Sequence, residues 1–156
     1  MSDRPNGHDL LTQEATVRRH GTGITTHGLV GRWRLAQVWG KGQTTPSNLA
    51  GMGLRAVQAT LELEDSADGL GIANSVLLGP INLRFTGTAE LVGRRPLLRF
   101  SFQTVKLRWG ESVVWARSLP TPQPQRMPFF ALIARDSSGW LAARGRGGGL
   151  ALWDLV

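Results

Sequence analysis

The sequence predicts an all-β fold, either an antiparallel sandwich or an up-and-down barrel. Three observations predict it. Apolar and polar residues alternate with period two over most of the chain after residue 29. Turn residues separate the alternating runs at short intervals. No helical period survives beyond the first 28 residues.

The elements follow in order. Residues 1–8 are polar and punctuated by Gly and Pro, and disorder is expected there. Asp9–His20 reads as a short helix, with Asp9 as N-cap, Leu10, Leu11 and Val17 near one face, and Gly21 as its stop. The domain division is therefore a flexible N-terminus over 1–28, with a helix over 9–20, and one β-domain over 29–156. Gly31–Trp39 alternates Trp33, Leu35, Gln37 and Trp39 against Arg32, Arg34, Ala36 and Val38. Ala56–Glu64 turns Val57, Ala59, Leu61 and Leu63 inward and Gln58, Thr60, Glu62 and Glu64 outward. Gly71–Leu78 is a shorter strand. Ile81–Val92 is the clearest, with Ile81, Leu83, Phe85, Gly87, Ala89 and Leu91 on one face. Leu97–Trp109 begins with Leu98, Phe100 and Phe102 on one face and ends with Val105, Leu107 and Trp109 in the opposite phase, which predicts a bulge near Gln103 or Thr104. Ser112–Ser118, Pro128–Arg135, Trp140–Arg144 and Leu150–Leu155 complete the strands. Two long connections, Gly40–Gly53 and the proline-rich Leu119–Pro128, belong at a rim, where one could act as a lid.

Composition narrows the chemistry. A chain of 156 residues suits one domain. With no cysteine, a disulfide scaffold, thiolate metal sites and a Cys nucleophile are excluded. Histidine occurs only at His8, His20 and His27, so the β-region holds none for a Ser-His-Asp triad or a His-rich metal site. Met1–Asp9 lacks an apolar signal region, and no run of 18 apolar residues exists, so neither secretion nor a membrane-spanning helix is expected. The formal net charge is +7, and all cations but Lys41 and Lys106 are arginine. That balance suits an anionic partner, although GC-rich codon usage produces the same bias.

No segment reaches the level of an active site. Arg144-Gly-Arg-Gly-Gly-Gly149 lacks the Gly-Lys-[Ser/Thr] of a phosphate loop and lies between two apolar strands, so it reads as a hairpin turn. Asp65 and Asp68 mark a turn rather than a calcium loop. Glu62 and Glu64 make a solvated strand face. Asp136 and Asp154 have no sequence neighbour that would give them a catalytic role. The six tryptophans, without a single tyrosine, divide into core residues and residues suited to an apolar pocket or a membrane interface.

Gly28-Leu-Val-Gly31-Arg32-Trp33-Arg34-Leu35 resembles the Gly-x-Trp strand that opens lipocalin barrels. Together with Ala73-Asn74-Ser75-Val76 and the closing Trp140–Trp153 segment, it resembles the plastid-lipid-associated protein (fibrillin) family of plants and cyanobacteria. That resemblance covers roughly residues 28–156 and implies a lipocalin-like antiparallel up-and-down β-barrel of the cyanobacterial type. It implies non-enzymatic binding of a lipid, carotenoid or prenylquinone, without a cofactor, by a cytoplasmic protein peripheral to the thylakoid membrane. Leu35, Val57, Leu61, Phe85, Phe100 and Phe102 are the candidate ligand-facing residues. By the resemblance, Arg144 should pack across Trp33 and close the barrel. Arg94, Arg95 and Arg126, with Arg18 and Arg19, are the candidates for facing an anionic membrane. The rival on the same barrel is a bilin lyase or chromophore chaperone for phycobiliproteins. A basic nucleic-acid module ranks last, and the oligomeric state is left open.

Overall fold

The computed structural model describes residues 4–42, 59–67 and 69–156. Among these residues, nine antiparallel strands follow two helices. Helix α1 is Gly7–His20 and α2 is Thr26–Leu29. The strands are β1 (Gly31–Trp39), β2 (Ala59–Ser66), β3 (Gly69–Leu78), β4 (Ile81–Val92), β5 (Leu97–Trp109), β6 (Ser112–Ser118), β7 (Phe129–Asp136), β8 (Trp140–Gly145) and β9 (Leu150–Leu155). A single 3₁₀ turn, Pro124–Arg126, interrupts the connection from β6 to β7. The sheet order is β4-β3-β2-β1-β9-β8-β7-β5-β6, and β4 also pairs with β5. Every strand except β6 therefore belongs to a closed ring. The expected barrel is present. The start of the Ala56–Glu64 run, Val57 included, and most of the Gly40–Gly53 connection lie outside the described residues.

The long strand β5 splits its second edge. Its first residues pair with β7, through Leu97↔Ala131, Leu98↔Phe130 and Arg99↔Phe129. Its last residues pair with β6, through Thr104↔Ser118 to Trp109↔Ser112. The first pairing closes the ring. The second carries β3, β4, β5 and β6 past the ring as a ribbon.

Bulges set which side chains enter the barrel. In β5 the register steps from Gly87↔Phe102 to Thr86↔Thr104, which leaves Gln103 unpaired where the alternation predicted a bulge. This keeps Phe100, Phe102, Val105 and Leu107 on the inner face. A second bulge, between Leu35 and Gln37, moves Trp39 to the outer face. The simple alternation placed Trp39 beside Trp33, and the extra residue is the reason for the difference. A third bulge, between Leu132 and Ala134, leaves Leu132 inside and puts both Ile133 and Ala134 outside.

Two apolar clusters result. The inner one holds Trp33, Leu61, Leu63, Ile72, Leu98, Phe100, Leu132 and Trp153, among others. The outer one holds Leu10, Trp39, Ile133, Trp140, Leu150 and Leu152, and α1 lies over it. Four of the six tryptophans are thus core residues.

Helix α1 begins two residues before the expected start. Asn6, not Asp9, is its N-cap: the Asn6 side chain accepts from the Asp9 amide, and the Asp9 carboxylate accepts from the Asn6 amide. The reciprocal box orders residues that composition marked as disordered. Gly7, Leu10 and Glu14 form the buried stripe. Glu14 accepts two hydrogen bonds from Arg144, at 2.6 and 2.8 Å. The Arg144 bonds hold the Glu14 carboxyl below its ordinary value of 4.5, against the opposing pull of burial.

A lowered folded-state value means that Glu14 stabilises the protein above pH 4.5 and loses that contribution as pH falls through the ordinary value to the lowered one. Glu62, held low chiefly by its hydrogen bond from Arg84, titrates in the same direction. Glu14→Gln should therefore cost about 1–3 kcal/mol at neutral pH. It should also flatten, without abolishing, the acid side of the stability profile in urea titrations. Gly87→Ala should be worse than its size suggests, because a Cβ there would lie 1.9 Å from the Ser101 carbonyl oxygen. A loss above about 2 kcal/mol in chemical denaturation is expected, and a loss under about 0.5 kcal/mol would contradict the close approach.

Candidate functional site

The inner face of β1 to β6 can be read in rows across the sheet. One row runs Trp33, Leu61, Asn74, Phe85, Val105 and Arg117. The next runs Ala59, Val76, Leu83, Leu107 and Trp115. The last runs Leu78, Ile81, Trp109 and Ser112. Burial falls along the series: Trp33 is 0% exposed, whereas Trp115 is 46% and Trp109 58% exposed. The apolar inner surface of the barrel thus continues onto the ribbon, where it meets solvent.

Deep in the ring the interior is filled by side chains. Phe85 contacts Phe102, Phe102 contacts Phe100, Phe100 stacks on Phe130 and Phe130 meets Trp153 edge-on, all with centroids 5.2–5.5 Å apart. Small residues on β8, Ala143 and Gly145, stand opposite Leu132 and Phe130. They leave the space through which Phe130 reaches Trp153.

The structure brings Leu61, Phe85, Phe100 and Phe102 together on this inner face, with Leu35 packed against the same cluster. Leu61 and Phe100 are buried floor residues, whereas Leu35, Phe85 and Phe102 remain half-buried. Val57 lies outside the described residues. The alternation named the inner face but missed its open part: Val76, Leu78, Leu83, Leu107, Trp109 and Trp115, with Asn74 and Arg117 as polar groups in the same sheet face. Period-two phase placed Leu83 beside Phe85 and put Leu107 and Trp109 in phase with Val105, but assigned no face to the residues of β3 and β6. What it could not show is where the ring ends and the ribbon begins.

Closure at Trp33 involves a different arginine from the one expected. Arg144 follows the inward Ala143 and so projects outward, toward Glu14. Arg135 takes the position over Trp33, with its guanidinium carbon 5.1 Å from the ring centroid. Its Nε donates to the Gly28 carbonyl at 2.9 Å, and Trp33 Nε1 donates to the Leu29 carbonyl at 2.9 Å. The Ile133 bulge turns Arg135 inward, because simple alternation from Leu132 would point it out. Trp33, α2 and Arg135 together form the plug of the barrel.

The remaining basic candidates are dispersed in role. Arg94 is exposed in the β4–β5 turn, and its carbonyl faces Gly21 at the end of α1. Arg95 is half-buried, and its charge helps keep Glu14 ionised. Arg126 is exposed, and Arg146 donates to its backbone carbonyl at 2.5 Å, which ties the β6–β7 connection to the β8–β9 turn. That turn is the Arg144–Gly149 segment, with Gly148 at φ 94°. On the outer face, Glu62 pairs with Arg84 at 2.8 Å and with Arg32 at 3.7 Å, as a solvated charged face should.

Among the described residues, no group of three or more His, Asp or Glu is arranged to hold a metal ion. None of their helices is long and apolar enough to cross a membrane.

The plug generates a comparison. Arg135→Ala should lower stability by about 1–3 kcal/mol through lost stacking, stem packing and the Gly28 hydrogen bond, and should change the near-UV circular dichroism of Trp33. Arg144→Gln should release α1 and leave that Trp33 signal intact. The reverse pattern would return closure to Arg144. Compared with protein-family models and with curated protein sequences, the chain matches none.

Proposed function

We propose that this protein binds a hydrophobic small molecule, a lipid, carotenoid or prenylquinone, without catalysing a reaction, at or near thylakoid membranes. The class of ligand and the location follow the resemblance to the fibrillin family. The observation that carries the reading is the largely apolar inner face, which leaves a packed core and emerges at Leu83, Leu107, Trp109 and Trp115. An apolar ligand laid on this surface removes water from both partners, at about 25 cal/mol for each Å² covered. Asn74 and Arg117 share the row below and offer an amide and a guanidinium to a polar end group. The packed aromatic chain from Phe85 to Trp153 forms the floor, so the ligand rests at the mouth rather than filling the ring.

Mass spectrometry of organic extracts of the purified protein should recover an isoprenoid or acyl lipid. A fluorescent fatty acid should bind wild type and bind Leu107→Asp at least about tenfold more weakly, with the fold retained. Clean extracts together with no binding of the fatty acid would overturn the reading. A large visible absorbance shift with bilin, in their place, would favour the chromophore-carrier alternative.

A further inference from the structure

We infer that the paired hairpin tips of the ribbon are a membrane-docking wedge that seats in the interface of an anionic lipid bilayer. The tips are the β3–β4 turn, around Gly79 and Pro80, and the β5–β6 turn, around Gly110 and Glu111. They adjoin through Ile81↔Trp109 and through the hydrogen bond from the Gly110 amide to the Pro80 carbonyl at 2.8 Å.

Large exposed apolar side chains concentrate here. Among the described residues, Leu77, Leu78, Trp109, Val113, Val114 and Trp115 are all 41–58% exposed. They occupy both faces of the ribbon. Leu78, Trp109 and Trp115 continue the inner face, whereas Leu77 lies in the outer row with Asn82, and Val113 stands opposite Arg108. A ligand or a covering segment needs only one apolar face. A tip that exposes large apolar side chains on both faces suits a medium that surrounds it. Trp at such a tip prefers the interfacial zone of a bilayer, where an apolar ring and a polar N–H are both satisfied.

Charge selects the lipid. Lys106, Arg108 and Arg117 stand on the two strands just behind the β5–β6 tip, against the single carboxylate of Glu111. Arg108 donates to the Glu111 carbonyl at 3.3 Å, which places its guanidinium at the turn. Lys106 is three residues from Trp109 along the strand, a separation of about 10 Å. That spacing puts Lys106 at phosphate level when the tips reach the acyl boundary, a depth of about 5–10 Å. The β6 edge is exposed along its length, but its bulge at Val114 disfavours a second strand pairing there.

The wedge rests on the proposed function, because it names the surface through which the apolar mouth would exchange its ligand with a membrane. Its test uses vesicles alone. Wild type should co-sediment with vesicles of phosphatidylglycerol and phosphatidylcholine, and much less with phosphatidylcholine. Binding should weaken several-fold from low to high salt. Brominated acyl chains should quench part of its tryptophan emission. Trp109→Ser/Trp115→Ser should lose at least about tenfold in partitioning and lose the quenching, with an unchanged melting temperature as the check on folding. Lys106→Gln/Arg108→Gln should keep its quenching on bound vesicles and lose the preference for anionic lipid. Equal partitioning of wild type and the Trp variant would overturn the wedge. So would an absence of vesicle binding, or a dimer in wild type that dissolves in the Trp variant without vesicle binding. Vesicle binding by a protein that takes up no fatty acid would leave the wedge standing and remove the ligand role.

Discussion

The seam between β5 and β7 is the constraint on which the rest of the structure depends. Only three residue pairs make it, extended by the Phe100 amide on the Pro128 carbonyl and the Leu132 amide on the Pro96 carbonyl. Few hydrogen bonds cross it, so side chains must seal it from within. Phe100 of β5 stacks on Phe130 of β7, and Phe130 meets Trp153 two strands away. Because the seam takes only the start of β5, the remainder of that edge is free for β6. A closed, packed ring and an open apolar ribbon are consequences of one division of hydrogen bonds.

The outer surface shows how the same chain handles its remaining apolar residues. The Trp39, Trp140 and Leu152 patch would face water on an isolated barrel, and α1 covers it. Its cover is fixed in place by Glu14 and Arg144 more than by an extensive apolar stripe, since only Gly7, Leu10 and Glu14 are buried on the helix. A nearly buried carboxylate between Arg144, Arg18 and Arg95 is tolerable because it is paired and hydrogen-bonded. Part of the positive excess that suggested an anionic partner is therefore spent inside the molecule.

Much of the fold was legible in the sequence. The limits of β1, β4, β5, β6 and β9 coincide with the alternating runs, and the phase change in β5 announced its bulge. The other bulges left no such mark. One extra residue at Ala36 and another at Ile133 reverse every later side chain in their strands, so Trp39 and Arg135 moved to faces that alternation could not assign. Arg144 was expected over Trp33 from the resemblance alone, and the extra residue at Ile133 is why Arg135 stands there instead. The ligand-facing set was legible as an inner face and illegible as a site, because burial at the mouth depends on how far β7 accompanies β5. Trp109 and Trp115 look like any other inward tryptophans until their neighbours across the sheet are known.

Strand-resolved amide hydrogen exchange tests the division of β5 most directly. In the free protein, β8, β9 and the Leu97–Arg99 segment should exchange slowly and together, while β6 and the Trp109 end of β5 exchange faster. Addition of vesicles containing phosphatidylglycerol should slow exchange in β6 and the two hairpin tips and leave the ring unchanged. Uniform exchange across β5 and β6 in the free protein, or new protection confined to α1 and the ring, would contradict a structure in which a sealed barrel ends in an open apolar ribbon.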